Sequence, residues 1–252
     1  MATITIDRFI EDTNLATSSK EVSRLFGNAL KDLGYDRFCY SLVTAHPSLG
    51  LDAGHGIAKN YPEDWMLYYE ANHYEKKDPV PRYAFGANRP FTWDWLVQTR
   101  KLNPVQKKVM AEAREARLLD GIAIPIHGRS GELAGMGVAS SAGGVCPDRN
   151  LLSRIHSLSL QFHLVYIELL KKERPGAGSV KENIHLTDRE KEILLWAAEG
   201  KSDSMIADII GVSHSTIRFH MNNIFRKLNA NERTLATVKA IRQGLILPSF
   251  VG

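Results

Sequence analysis

The stretch from Thr187 to Leu228 constrains this 252-residue chain most, because it carries a start and a stop for each of three successive helices. Thr187, Asp188, Arg189 and Glu190 read as a capping box. The Thr187 hydroxyl takes the amide three residues on, and the Glu190 carboxylate reaches back. Ile193, Leu194, Ala197 and Ala198 then recur at helical spacing and give the first helix an apolar face. Gly200 ends it, since glycine enters the left-handed region without strain. Ser202 caps a second helix with apolar positions Met205, Ile206, Ile209 and Ile210, and Gly211 ends that one. Ser213 caps a third, whose inward positions are Ile217, His220, Met221, Ile224 and Leu228. Two short helices, a glycine turn and a longer helix make a helix-turn-helix.

An ordinary helical bundle could share this pattern, but the polar face of the third helix argues against it. Arg218, Asn222 and Arg226 stand four apart, with Ser215 and Phe219 beside them, opposite the apolar stripe. Arginine forks onto guanine and asparagine onto adenine in a major groove, each good pair discriminating by about 1–3 kcal/mol. Charge is polarised as well. From position 213 onward the chain holds Arg218, Arg226, Lys227, Arg233, Lys239 and Arg242 against Glu232 alone, whereas the two preceding helices are acid-rich. A basic face turned to phosphate fits that split. Lys201, Ser213, Ser215, Thr216, Arg218, Phe219, Asn222 and Arg226 are the candidate DNA contacts.

The run LTDREKEILLWAAEGKSDSMIADIIGVSHSTIRFHMNNIFRKLNA, from Leu186 to Ala230, resembles the C-terminal DNA-binding domain of LuxR-type transcriptional regulators. The motif is long and specific: Thr-x-x-Glu, the Glu-Gly-Lys-Ser turn, Ile-Ala, Val-Ser, Thr-Ile, His220 and Lys-Leu-Asn. That domain serves both phosphorylation-driven and ligand-driven regulators, so the input is decided upstream.

Length favours two domains, and the hydrophobic and charged fractions, 44% and 24%, are those of a globular chain. A net charge of +4 permits nucleic-acid binding without demanding it. Cys39 and Cys146 are the two cysteines, too far apart in sequence for a disulfide framework or zinc spacing. No secretory leader and no apolar run of about 18 residues is present, so a cytoplasmic protein without a membrane partner is expected.

The first half mixes periodicities. Residues 4–33 read as helical, with Val22, Leu25, Phe26, Ala29, Leu30 and Leu33 at spacing three and four and Gly34 as the stop. Residues 35–43 alternate like a half-buried strand. Pro47, Gly50, Gly54 and Gly56 mark a turn. Helix returns near Pro62 and again from Pro104 to Leu118. Gly121 to His127 and Leu133 to Ala139 are strand-like runs around a Gly128-Arg129-Ser130-Gly131 hairpin signal. The expected class is α+β with a mainly antiparallel sheet. Ten of the 21 aromatic residues fall between positions 61 and 95. Among them Tyr61, Trp65 and Tyr69 are spaced four and four, as on one helix face. Such a stripe is more often core than ligand cage. Two features shift the balance: Tyr and Trp carry hydrogen-bonding ends, and Asp78 follows in aromatic surroundings, where a carboxylate needs donors.

Tyr61-Pro62-x-x-Trp65-x-x-x-Tyr69, Asp78-Pro79-Val80, Phe91-x-Trp93 and Gly121 resemble the sensor domain of the quorum-sensing branch of LuxR-type regulators. Those bind N-acyl homoserine lactones within an α/β/α sandwich. The resemblance implies that Trp65 donates its indole N–H to the lactone carbonyl and Asp78 accepts from the ligand amide. It implies that Tyr61 hydrogen-bonds an acyl-chain carbonyl while Tyr69 and Trp93 wall the headgroup, with Val80 alongside. It implies no cofactor, only the lactone signal. Where many relatives carry Ser or Thr on the inner sheet face, this chain has Ala123 and Gly137, with Ser41 in partial compensation. A roomy pocket for a long acyl chain is therefore expected, with Met110 and Leu118 as further lining candidates.

Pro147-Asp148 opens a long helix whose stripe is Leu151, Ile155, Leu158, Phe162, Val165 and Leu169. It can serve the sensor core, a dimer seam or both, and half-site recognition favours a homodimer. Lys171 to Ser179, broken by Pro175, Gly176 and Gly178, reads as a flexible linker. The expected organisation is a ligand-binding and dimerisation domain at 1–172, a linker at 173–183 and a helix-turn-helix domain at 184–252. Asn231 is placed to cap a last helix, 232–243, with Leu235, Val238, Ala240 and Ile241 inward. Expected partners are promoter DNA, a small-molecule autoinducer, a second copy of the chain and RNA polymerase. Three alternatives stand beside this. One is a LuxR-type regulator without a cognate synthase that answers a non-lactone molecule. Another is a response-regulator-like or constitutive DNA-binding protein, but no acidic pair, strand-end Asp and later Lys of a receiver domain are found. An enzyme is disfavoured, because no nucleophile elbow, catalytic triad spacing or metal-ligand pair is present. His220 is expected to be a packed core residue.

Overall fold

The computed structural model describes residues 5–44, 46, 53–128, 132–174 and 184–247. They fall into two compact units, one holding the described residues up to 174 and the other those from 184. The turn at Pro47 and Gly50, the Arg129-Ser130-Gly131 hairpin tip and the linker from Pro175 to Ser179 lie outside the described residues.

The first unit opens with two helices, α1 (Ile6–Asn14) and α2 (Ser19–Lys31), where one continuous helical stretch was expected. The run of hydroxyl residues explains the break. Ser18 takes the Glu21 amide and Glu21 takes the Thr17 amide, so the backbone finds partners by restarting. Strands β1 (Arg37–Leu42) and β2 (Gly54–Lys59) follow, then α3 (Glu63–Ala71) and one 3-10 turn at Tyr74–Lys76. Next come α4 (Pro79–Ala84), the two-residue strand β3 (Phe91–Thr92), α5 (Trp93–Thr99) and α6 (Pro104–Glu115). Strands β4 (Leu119–His127) and β5 (Leu133–Ser140) lead to the 25-residue α7 (Arg149–Glu173). The sheet order is β2-β1-β5-β4-β3, with every neighbouring pair antiparallel.

Side-chain alternation divides this sheet into two unlike faces. Phe38, Tyr40, Leu42, Ile122, Ile124, Ile126, Met136 and Val138 pack with Phe26, Ile155 and Phe162 of α2 and α7 in the main core. The opposite face carries Cys39, Ala123 and Ala139 against residues of α3 to α6. Helices thus cover both faces in an α/β/α sandwich. This corrects the half-buried reading of β1: Phe38, Cys39 and Tyr40 are all buried, because elements pack on both faces of the strand.

The second unit is α8 (Asp188–Ala198), α9 (Asp203–Ile210), α10 (His214–Leu228) and α11 (Arg233–Arg242). Its caps are those expected: the Thr187–Glu190 capping box, Ser202 accepting from Met205 N–H and Ser213 from Thr216 N–H. Gly200 and Gly211 adopt the left-handed conformation, φ +79° and +69°. Ile193, Leu194, Ile206, Ile217, Ile224 and Leu228 form the core. Four expectations need correction. Met205 and Ile209 are 46% exposed each, because the eight-residue α9 buries one narrow side through Ile206 and Ala207. His220 is half-buried at the edge of the α10 stripe, its ring edge-on to exposed Phe219. Asn231 does not cap α11; Glu232 holds that position without a side-chain bond. Consequently α11 turns Ala236, Thr237 and Ala240 inward and leaves Val238 exposed.

Candidate functional site

A cavity opens between the sheet and the helices α3 to α6, and small residues make room for it. Strand register sets Cys39 opposite Gly137 and Gly137 opposite Ala123, one row across three strands. In the next row Ser41 stands opposite Gly135. Alternation along β5 explains the floor, since Ala134, Met136 and Val138 belong to the main core while Gly135 and Gly137 face the other way. The space between these elements amounts to about 720 Å³ when the solvent of the open mouth is counted with it. All eleven ligand-site candidates line this one cavity: Ser41, Tyr61, Trp65, Tyr69, Asp78, Val80, Trp93, Met110, Leu118, Ala123 and Gly137.

Each arrives by a local device. Trp65 and Tyr69 share a face of α3, but Tyr61 precedes that helix, so the three do not form one helical stripe. They meet nevertheless: Trp65 lies 5.9 Å edge-on from Tyr69, and both pack with Tyr61 in one buried cluster. Leu118 follows α6 rather than ending it, because Arg117 turns left-handed at φ +61° and the Leu118 amide returns to Ala113. Trp93 opens α5, and its ring lies flat over Gly121, where any Cβ would collide with the indole.

Polar groups in this apolar chamber are few and specific. Asp78 caps α4, its carboxylate accepting from Val80 N–H at 2.8 Å and from the Tyr69 hydroxyl at 3.0 Å. Burial pushes its pKa up to about 6 even against those two bonds. Burial and the neighbouring Asp78 raise the Tyr69 hydroxyl, which stays protonated as the donor. Among the described residues the Tyr61 hydroxyl and the Trp93 indole N–H are buried without a hydrogen-bond partner. Tyr61 Oη also occupies the space above Gly137, where a Cβ would sit 2.8 Å from it. The absent side chain at 137 therefore admits the tyrosine instead of leaving apolar volume. An acceptor and an orphaned hydroxyl in one chamber complement a ligand that carries both an N–H and a carbonyl.

The sequence reading missed several lining residues, among them Cys39, Val43, His55, Pro81 and Ala84. Cys39 and Val43 were accessible from alternation, since they flank Ser41 at a spacing of two. His55 gave no signal, because glycines on either side hide the strand that carries it. Cys39 is inert: burial pushes its thiol up to about 12.

On the second unit the candidate contacts form one exposed face of α10. Ser213, Ser215, Arg218, Phe219, Asn222 and Arg226 are exposed and Thr216 is half-buried. Ser213 Oγ lies 2.7 Å from Ser215 Oγ and 2.8 Å from Thr216 Oγ1, a hydroxyl cluster at the helix N-terminus. Lys201 belongs to the turn before α9 and not to α10, and its carbonyl accepts from Arg233. Arg226 is tied to Asn223 Oδ1 at 2.9 Å.

An aromatic chamber with a buried carboxylate in one domain and a helix-turn-helix in another point to a ligand-responsive DNA-binding regulator. Comparison with known families places it further. Residues 18–166 match the autoinducer binding domain, and residues 185–240 match the bacterial regulatory proteins of the luxR family. The chain belongs to the LuxR family of quorum-sensing transcriptional regulators, a family of regulators and not of enzymes. It is 34% identical over 190 residues to the quorum sensing-dependent transcriptional regulator RpaR of Rhodopseudomonas palustris, covering 75% of this chain and 74% of that one. It is 32% identical over 241 residues to the transcriptional activator protein VanR of Vibrio anguillarum, covering 96% and 97%. The fold is similar to that of Escherichia coli SdiA, with a TM-score of 0.70 at 23% identity, covering 96% and 98%.

Proposed function

We propose that the chain senses an N-acyl homoserine lactone with a long acyl chain in its first domain, residues 1–172, and binds promoter DNA as a homodimer through 184–252, the two joined by a linker at 173–183. One observation carries the ligand reading: the buried Asp78 carboxylate shares its chamber with the unpartnered Tyr61 hydroxyl. A secondary amide answers both at once, its N–H to Asp78 and its carbonyl to Tyr61. Trp65 then donates to the lactone carbonyl, and Tyr69 and Trp93 close around the ring. Val80, Met110, Leu118 and Ala123 supply apolar wall for the chain.

The homodimer is supported by Leu160 and Leu164, which α7 leaves 39% and 65% exposed one turn apart. Half-sites read by one helix each call for two copies. In α10 the Arg218, Asn222 and Arg226 side reads the groove, while Ser213, Ser215, Thr216 and Lys201 hold phosphate, with Phe219 against base methyls. Ligand binding stabilises the folded sensor by mass action. The protein acts in the cytoplasm, where promoter and RNA polymerase are found; no helix among the described residues is long and apolar enough to cross a membrane.

Mass spectrometry of a solvent extract tests the ligand, using protein purified after expression with and without a mixed panel of acyl homoserine lactones. One lactone retained near one per chain, and lost in Asp78→Asn, is expected. Soluble protein that retains no lactone, with Asp78→Asn indistinguishable from wild type, overturns the reading and leaves a regulator with a different input.

A further inference from the structure

Where β1 and β2 border the cavity, its wall carries a polar couple. Ser41 Oγ accepts the Gly56 amide at 3.0 Å and lies 3.1 Å from His55 Nδ1. The His55 ring is stacked on Tyr69, with centroids 4.3 Å apart and planes at 14°. Ser41 fixes one ring nitrogen and Tyr69 fixes the ring plane, which leaves the imidazole a single orientation. Its other nitrogen, Nε2, has as its partner among the described residues only the Cys39 sulfur, at 3.7 Å. Thiol sulfur is a weak donor and a weak acceptor. Nε2 is thus a strong hydrogen-bonding atom held at a cavity wall with a poor partner.

Position makes this useful. His55 lines the aromatic chamber and also an outer hollow bordered by Lys59, Glu63, Glu70, His73 and Glu75. Tyr69 covers one face of the ring, and the residue, exposed as a whole, borders both cavities. Burial, with Lys59 adding to it, pushes its pKa down to about 4, so the ring is neutral at physiological pH. A neutral ring offers Nε2 as donor or acceptor according to tautomer, and the Ser41 hydroxyl can match either at Nδ1.

We infer that His55, held by Ser41 and Tyr69, is a specificity-determining ligand contact that hydrogen-bonds an oxygen carried on the acyl chain. This rests on the acyl-ligand reading above and adds which acyl ligands are preferred. A plain alkyl chain laid across the same wall strips Nε2 and Ser41 of solvent and returns no bond. An oxo or hydroxyl group in that place restores it. Sites built to bond a polar group reject the analogue that lacks it far more strongly than apolar sites reject an added group.

The test titrates full-length protein with dodecanoyl, 3-oxododecanoyl and 3-hydroxydodecanoyl homoserine lactone, read by intrinsic tryptophan fluorescence. Wild type is expected to favour an oxygenated ligand by roughly tenfold. His55→Leu is expected to bring the three within about twofold, binding the plain chain more tightly and the oxygenated ones more weakly. His55→Gln, which keeps a polar end, serves where the leucine variant fails to fold and is expected to retain part of the preference. Equal affinities in wild type, or an unchanged ratio in both folded variants, overturn the assignment of His55 while Asp78→Asn still weakens every lactone. If folded wild type binds none of the three, the lactone reading fails and this inference falls with it.

Discussion

Gly121 and the indole of Trp93 occupy one another's space: a methyl group on Gly121 would land inside the ring, against Cδ2, Cε3 and Cε2. Gly121 has no left-handed backbone to excuse it, so the requirement is steric. Gly121→Ala must push Trp93 off the sheet and out of the chamber wall. Overpacking of this kind costs about 1–3 kcal/mol. The expected outcome is a lower melting temperature with loss of lactone binding. Gly121→Ala combined with Trp93→Ala should recover most of the stability but not the binding. Additive losses in the double variant would show that the two residues do not share this contact.

Tyr61→Phe separates stability from binding. The Tyr61 hydroxyl is buried without a partner among the described residues, and such a group costs about 1–3 kcal/mol. Its removal is expected to raise the ligand-free melting temperature slightly while weakening the lactone by roughly tenfold. Calorimetry on ligand-free and saturated protein checks both signs. A variant less stable without ligand would mean that the hydroxyl is already satisfied.

The Asp78 pKa of about 6 predicts how binding depends on pH. Its folded value is raised above the ordinary 3.8, so ligand-free protein gains stability from this group as pH falls from 6 toward 3.8. A ligand N–H prefers the carboxylate, so affinity moves the other way and is lost below pH 6. Between pH 7.5 and 5 the lactone should weaken roughly tenfold, and Asp78→Asn should be weaker and flat across that range. His55, at about 4, stays neutral throughout and does not contribute. Fluorescence titrations at four pH values decide it, and an equal slope in Asp78→Asn would remove Asp78 from the binding step.

What the sequence disclosed followed from how local each cause is. Thr187, Ser202, Ser213, Gly200 and Gly211 act within four residues of themselves, so the three N-caps and the first two stops of the helix-turn-helix were legible, while the left-handed Asn229 that ends α10 was not. The eleven cavity residues were legible too, though mainly through family resemblance rather than spacing. Tyr61 shows the difference: its four-residue spacing from Trp65 suggested a helix face, yet it sits before the helix and reaches the chamber through Gly137. Met205, Ile209 and Val238 were misplaced because helical spacing names an apolar face without saying how much of it a neighbour covers. His55 depends on β2 pairing with β1 and on stacking with Tyr69, both long-range, and so was invisible.

Glu190 binds the start of α8 to the end of α10. Its carboxylate accepts from Thr187 N–H and from Lys227 Nζ, both at 2.7 Å, and only 3% of the residue is exposed. Burial alone would raise its pKa, but the Lys227 and Thr187 bonds outweigh that and lower it below 4.5. A depressed carboxylate gives stability that is present above its unfolded pKa and lost as pH falls through the folded one. Acidification below about 4.5 should therefore loosen the helix-turn-helix. Glu190→Ala should cost roughly 1–3 kcal/mol at pH 7, because Lys227 loses its partner and the Thr187 amide loses its acceptor while Thr187 still caps α8. Chemical denaturation followed by Trp196 fluorescence measures it; a loss under 1 kcal/mol would reduce the pair to a surface contact.

Arg218 is the sharpest test of how the regulator reads DNA. It stands exposed at mid-helix, four residues before Asn222, whereas Ser213, Ser215 and Thr216 cluster at the helix N-terminus, where the backbone amides favour phosphate. A base contact and a phosphate contact leave different traces. If Arg218 forks onto a guanine, Arg218→Ala should cost about 1–3 kcal/mol on the preferred site and relax selection at one position of each half-site. The steepness of salt dependence should then change little. If it neutralises phosphate instead, every sequence should weaken together and the salt slope should fall by about 0.9 for each contact removed. Selection from a randomised library with wild type and Arg218→Ala, followed by titration at several salt concentrations, separates the two. Uniform weakening with a shallower slope would move base reading from Arg218 to Asn222 and Arg226.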